Sequence, residues 1–234
     1  MILTSSDLAT LQEALEAASD WMGFHFFALT QHPRRDPSAP GGMRVHNYPR
    51  EWEVSYDRRR LGLSDPVHRA SHLRADGFRW RDLRAIIPFF DRDEEMLSEA
   101  LVFEIEDGLT IPVNVPGEPC GSVTFAIRSG QAFPEERLMF ADNFAAISFQ
   151  TMRMIAGLRP AAGKPRLTDH QLEVVRWVAV DKTDAEIGQI LDVKTDTVSK
   201  HIRNACRSFG VYKRTSLPIH ALFEGMLAFS DVLL

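Results

Sequence analysis

Two helix-start signals fifteen residues apart confine the last third of this chain to a small set of folds. Thr168 with Gln171, and Thr183 with Glu186, each fit the capping box. In that motif a hydroxyl accepts an N–H of the first turn, while the N3 side chain reaches back to the cap's own N–H. Leu172, Val175 and Val178 follow the first box at helical spacing, and Ile187, Ile190 and Leu191 follow the second. Only Asp192, Val193 and Lys194 then separate the second helix from Thr195, a candidate N-cap. The third helix has Val198, Ile202, Cys206 and Phe209 as its apolar stripe and Gly210 as its stop. Two helices joined by a turn of about three residues make a helix-turn-helix, whose second helix can enter the DNA major groove. With a further helix after Gly210, residues 167–234 are expected to form an all-α, four-helix unit.

Charge supports this reading once it is localised. The whole chain carries a net charge of −5, but residues 194–214 hold Lys194, Lys200, Arg203, Arg207, Lys213 and Arg214 against Asp196 alone. Any one of these side chains would read as a solvated surface charge. Their clustering on and just after one helix is the footprint of a polyanion contact in an otherwise acidic protein. With the apolar stripe inward, Ser199, Lys200, Arg203 and Arg207 fall on other faces of the helix. Arg203 is the expected base-edge reader, because its forked donors match guanine O6 and N7. Lys200 and Thr197 suit phosphate contacts. Thr195, Ser199 and Arg207 complete the candidate DNA-binding set.

Residues 157–166, GLRPAAGKPR, have prolines, glycines and no apolar period, and are expected to be an interdomain linker. Ahead of it the signals alternate. Residues 6–22 have helical spacing, FHFFALTQ and MRVHNY read as strands on either side of a breaker-rich loop over 33–42, and DEEMLSEALVFEI reads as a helix. LTIPVNVPGEPCGSVTFAIRS reads as a hairpin, and PEERLMFADNFAAISFQTMRMIAG as a long helix. Residues 1–156 are therefore expected to form an α+β domain, an α-β-α sandwich around an antiparallel sheet. Asp65-Pro66 marks one more helix start, with the carboxylate as N-cap, Pro at the first helical position, and Val67, Ala70 and Leu73 following.

Several function classes recede. With 44% hydrophobic and 25% charged residues, the composition is that of an ordinary soluble protein. No basic segment leads into an apolar run at the N-terminus and no stretch has membrane-spanning length, so a cytoplasmic protein without a membrane partner is expected. Cys120 and Cys206 are far apart and expected to be reduced thiols. His68 and His72 are four apart but no third ligand stands out, so neither a metal nor a cofactor is expected. The chain has no Gly-x-Ser-x-Gly elbow, and no catalytic residues are assigned: it is not expected to be an enzyme.

The residues from Leu167 to Leu227, with AEIGQIL, TVSKHI and GVYKRT in place, resemble the DNA-binding domain of LuxR-type regulators. Gln171 stands where that family usually has Glu, and Asp181 where it usually has Gly. The stretch NYPREWEVSYDRRRLGLSDPV, followed by FRW and GLTIP, resembles the autoinducer-binding domain of the quorum-sensing members. The resemblance implies a small-molecule effector, an N-acyl-homoserine lactone. Trp52 would donate to the lactone carbonyl, Asp65 would accept from the amide N–H, Tyr48 or Tyr56 would reach the acyl carbonyl, and Trp80 would wall the lactone end. Ile111 and Ile127, on the hairpin strands, are the remaining expected ligand contacts, with Ile127 where the family often has Ser or Thr. The resemblance further implies a homodimer on a pseudo-palindromic double-stranded DNA operator, and leaves RNA polymerase open as a partner. An anti-activator that forms inactive dimers with a related regulator is the alternative.

Overall fold

The computed structural model describes residues 1–32, 43–116, 118, 120–157 and 166–232. The loop expected over 33–42 lies outside the described residues, as does the linker apart from its ends, Gly157 and Arg166. The described residues divide into two compact units, one holding residues 1–32, 43–115 and 120–157, the other 116, 118 and 166–232.

The N-terminal unit is built on five antiparallel strands. They are β1 (Phe26–Gln31), β2 (Arg44–His46), β3 (Phe78–Arg79), β4 (Ile105–Pro112) and β5 (Gly121–Arg128), in the order β2-β1-β5-β4-β3. One face is covered by α1 (Leu8–Met22) and the long α6 (Leu138–Ile155). There Leu11, Leu15 and Met22 pack with Phe27, Leu29, Val123, Phe125, Phe149 and Met152. α1 starts where Asp7 accepts the Thr10 N–H at 2.9 Å and Thr10 returns the bond, so its first turn is closed by short-range chemistry. The opposite face is covered by α2 (Arg50–Arg58), α3 (Pro66–Ser71) and α5 (Asp91–Val102), with the short α4 (Leu83–Ile86) packed on α3. Leu73, expected to extend the α3 stripe, lies beyond the helix and is 65% exposed.

Antiparallel pairing sorts the strand residues by parity. On β5, Val123, Phe125 and Ile127 go to the α1/α6 core, and Ser122, Thr124 and Ala126 to the other face. On β4 a bulge at Glu106 breaks the register between Ile105 and Asp107. The extra residue turns Ile105 onto the same face as Ala126. Ile111 and Ile127, expected on the ligand, are instead core residues of the α1/α6 side. The correction is a parity effect: a one-residue difference in register reverses the face.

The C-terminal unit consists of α7 (Asp169–Ala179), α8 (Asp184–Ile190), α9 (Thr195–Phe209) and α10 (Leu217–Phe223). Both capping boxes form, with Thr168 accepting the Gln171 N–H and Thr183 the Glu186 N–H, each at 3.3 Å. Val174, Val175, Val178, Ile187, Val198, Ile202, Ala205 and Leu217 make the core, with Cys206 and Phe209 packed at its edge. Thr195 is not the cap of α9: Lys194 holds that position without a side-chain bond, and Thr195 is the exposed first helical residue. Gly188 lets the turn fold back, since a Cβ there would lie 2.7 Å from the Val193 carbonyl oxygen. No helix among the described residues is long and apolar enough to cross a membrane.

Asp181, after α7, has φ 61°. A left-handed backbone crowds the Cβ of an L-residue against its carbonyl, and Asp bears this strain only partly through local polar contacts. Replacing Asp181 with Gly is expected to stabilise the C-terminal unit by about 0.5 kcal/mol. Thermal unfolding of both proteins checks this, and an unchanged or lower midpoint for Asp181→Gly contradicts it.

Candidate functional site

The face of the sheet away from α1 and α6 carries a cavity of about 560 Å³, roofed by α2, α3 and α5. The strands present three cross-strand rows on this face, of which Ala28, Thr30, Arg44, His46, Ser122 and Thr124 line the cavity. Gly108, Ala126 and Phe26 form the first; Thr110, Thr124, Ala28 and His46 the second; Pro112, Ser122, Thr30 and Arg44 the third. Polarity rises along the strands, from apolar in the first row to hydroxyl and guanidinium in the third.

An aromatic cage stands over the first row. Trp80 lies on Gly108, where a Cβ would come within 2.8 Å of the indole; only glycine allows the ring so close. The Trp80 indole N–H donates to Thr110 Oγ1 at 3.0 Å, and Thr110 Oγ1 lies 2.9 Å from Thr124 Oγ1. With Thr110 taken by Trp80, its own proton is free to go to Thr124, which leaves the Thr124 hydroxyl proton for the cavity. Trp52 is buried edge-on to Tyr56, with ring centroids 5.6 Å apart, and Tyr48 packs on Phe26 at 5.8 Å. Among the described residues, neither the Trp52 indole N–H nor the Tyr48 hydroxyl has a hydrogen-bond partner.

Asp65 joins the helix start to the cavity. Its Oδ1 accepts the Val67 N–H at 2.8 Å and the His68 N–H at 3.4 Å, capping α3. Its Oδ2 accepts the Tyr56 hydroxyl at 2.6 Å. Burial pushes the Tyr48 and Tyr56 phenols up, and the Asp65 carboxylate adds to the shift, so both stay protonated donors at neutral pH. A carboxylate offers about four acceptor sites, so Oδ2 retains room for one more donor.

The far end of the cavity is unexpectedly polar. His68 lies at the wall, with Nδ1 3.2 Å from the Gly62 carbonyl oxygen and its ring stacked on His32 at 3.9 Å. His32 is itself buried, with Nε2 2.9 Å from Ser122 Oγ and Nδ1 2.9 Å from His72 Nε2. At the rim, Arg44 forks onto Asp57 at 2.8 and 2.9 Å and reaches Glu53 at 3.0 Å, while His46 Nε2 lies 3.3 Å from Glu53. No group of three His, Cys, Asp or Glu among the described residues is arranged to hold a metal ion.

Of the ligand contacts expected from the sequence, Tyr48, Trp52, Tyr56, Asp65 and Trp80 line this one cavity, and Ile111 and Ile127 do not. Thr30, Ser122, Thr124 and His68 line the cavity as well, beyond the expected contacts. The signal for two of them is visible in GSVTFAIR, where the hydroxyls alternate with Val123, Phe125 and Ile127.

On α9, Lys200, Arg203 and Arg207 are exposed at helical spacing, as is Asp196 one turn earlier, and Thr197 is half-buried. Ser199 is not available to DNA in the expected way. Its hydroxyl donates to Asp184 Oδ2 at 2.6 Å, tying α9 to the start of α8. Arg214 binds the other oxygen of Asp184 at 2.6 Å and the Lys182 carbonyl at 2.7 Å, so its charge serves the fold.

The autoinducer-binding-domain family matches residues 7–152, and the luxR family of bacterial regulatory proteins matches residues 165–221. The chain belongs to the LuxR family, in the group that joins an autoinducer-binding domain to a luxR-type helix-turn-helix domain. It is similar to the transcriptional activator TraR of Agrobacterium vitis, 26% identical over 219 residues that cover 92% of this chain and 91% of TraR. It is 28% identical over 183 residues to y4qH of Sinorhizobium fredii, named as an HTH-type transcriptional regulator; these cover 78% of this chain but 56% of y4qH. Among solved structures, Escherichia coli SdiA shares the fold with a TM-score of 0.67 at 19% identity, over 97% of this chain and 94% of SdiA.

The histidines set a pH dependence. Burial holds the His32 imidazolium well below its ordinary range, with His68 and His72 adding to the effect, and burial also lowers His46 and His72. The unfolded chain therefore protonates first. Stability contributed by neutral His32 is complete above about pH 6.5 and falls as pH drops below it, by up to about 1.4 kcal/mol per pH unit. Urea unfolding between pH 7.5 and 5.5 checks this. His32→Asn is expected to flatten the slope, and an unchanged slope contradicts the assignment.

Proposed function

We propose that this chain is a transcriptional regulator that binds an N-acyl-homoserine lactone in its N-terminal unit and promoter DNA, as a homodimer, through α9. The convergence of unmatched polar groups on one cavity carries the reading. The Trp52 indole N–H and the Tyr48 hydroxyl are donors without partners among the described residues, Thr124 can donate, and Asp65 has acceptor capacity left. An acyl amide of a lactone presents the complementary set: two carbonyl oxygens to accept and one N–H to donate. A ligand buried there leaves each of its own polar atoms at a cost of about 1–3 kcal/mol unless a side chain meets it, and these side chains supply the matching partners. Trp52 serves the lactone carbonyl, Asp65 the amide N–H, Tyr48 the acyl carbonyl, and Trp80 walls the ring.

Ligand that binds only the folded state stabilises it by about 2.7 kcal/mol at a hundredfold excess over Kd. A homoserine lactone is therefore expected to raise the melting temperature of the full-length protein. Asp65→Asn keeps one oxygen for the α3 cap but turns a donor toward the ligand amide. It is expected to lose most of the ligand-induced shift and little of the unliganded stability. Equal loss of both assigns Asp65 to capping alone, and no shift with any lactone removes the ligand reading.

The exposed stripe of α9 supports the DNA reading. Arg203→Ala is expected to relax base preference at one operator position by about 1–3 kcal/mol. Lys200→Ala is expected to weaken all sequences alike and to lower the salt slope by about 1. Titrations of operator and scrambled DNA at several salt concentrations check both, and intact binding by the double variant contradicts the assignment. The homodimer accounts for a two-fold operator, since each copy presents one α9.

A further inference from the structure

We infer that the ligand's acyl group is short and carries a hydrogen-bonding function at its distal end, in place of a long saturated tail. The inference rests on the lactone reading above and follows from how polarity is graded along the cavity floor. The aromatic cage stands over the first row, and Asp65 and Thr124 place the amide near the second. An acyl group leaving the cage along the strands must then cross the third row. Rows are two residues apart, about 7 Å, which is within reach of a short acyl chain.

The third row is built for hydrogen bonds. Thr30 is 8% exposed, lines the cavity, and its hydroxyl has no partner among the described residues. Ser122 is 2% exposed, and its hydroxyl, held by His32, has one more hydrogen-bonding position toward the cavity. His68, stacked on His32, closes the wall beyond them. A methyl-ended chain laid here would leave the Thr30 hydroxyl buried and unmatched, whereas a distal hydroxyl would satisfy it. Room is not what selects, since about 560 Å³ is ample for a small ligand. The wall chemistry selects. Sites that hydrogen-bond a substrate hydroxyl discriminate strongly against the analogue lacking it, because their own polar groups are then stranded.

Three homoserine lactones test this on the full-length protein by calorimetric titration: N-hexanoyl, N-(6-hydroxyhexanoyl) and N-dodecanoyl. The hydroxylated chain is expected to bind about fivefold tighter than its plain counterpart, although it is the less apolar of the two. Dodecanoyl is expected to gain nothing over hexanoyl. Thr30→Val keeps the shape of the side chain without the hydroxyl and is expected to erase the preference, Ser122→Ala to reduce it, and Thr30→Ser to retain it. Tightest binding by dodecanoyl, or hexanoyl binding at least as well as its hydroxylated form, overturns this inference and leaves the lactone reading standing. Failure of all three ligands to bind overturns both.

Discussion

The antiparallel pairing of β1, β5 and β4 is the constraint on which the N-terminal unit depends. A strand has two faces and a period of two, so a single register decides which half of GSVTFAIR packs with α1 and α6 and which half floors the cavity. Val123, Phe125 and Ile127 meet Leu11, Leu15 and Phe149, a dry interface that fixes the sheet. Ser122, Thr124 and Ala126 are thereby presented as a rigid surface, with positions set by a core they do not touch. The bulge at Glu106 completes the arrangement by turning Ile105 inward beside Met96 and Ala100. The cavity is the back of a well-packed sheet, so the places of its floor residues follow from the strand register.

Asp65 carries the second level of organisation. One oxygen closes the first turn of α3 and the other takes the Tyr56 hydroxyl from α2, so a single carboxylate joins two roof helices. The cap of α3 and the bond to Tyr56 use different oxygens of the same group and do not compete. Its neighbours extend the network: His68 packs on His32, and His32 bonds to Ser122 on the floor. Roof and floor are thus connected through the buried His32 imidazole, which stacks on His68 and bonds to His72 at the end of α3 and to Ser122. The same network makes one end of the cavity hydrophilic.

In the C-terminal unit, Asp184 has a comparable role. It sits in the first turn of α8, binds Ser199 of α9 and Arg214 beyond it, and so sets the angle at which α9 is offered to solvent. The close approach at Gly188 and the left-handed Asp192 shorten the turn to match. Two of the polar side chains in the basic segment are consumed in building the motif. Lys200, Arg203 and Arg207 remain exposed on α9.

How much of this was legible in the sequence follows the range of the interactions. The capping boxes and the Asp65-Pro66 helix start rest on bonds between residues two to four apart, and the helix-turn-helix and the strand alternation on the short period of apolar residues, so the sequence alone determined them. The aromatic and acidic residues that line the cavity, Tyr48, Trp52, Tyr56, Asp65 and Trp80, were legible from the resemblance, since those residue types in that order are distinctive. Tertiary structure decided the rest: that Ile111 and Ile127 face the core, that Ser199 and Arg214 serve Asp184, and that Thr30, Ser122 and His68 line the cavity. His32 and Ser122 are 90 positions apart, and only strand pairing brings them within a hydrogen bond. Local sequence specifies local hydrogen bonding, whereas the face a side chain occupies, and the partner it meets there, is set by register between distant segments.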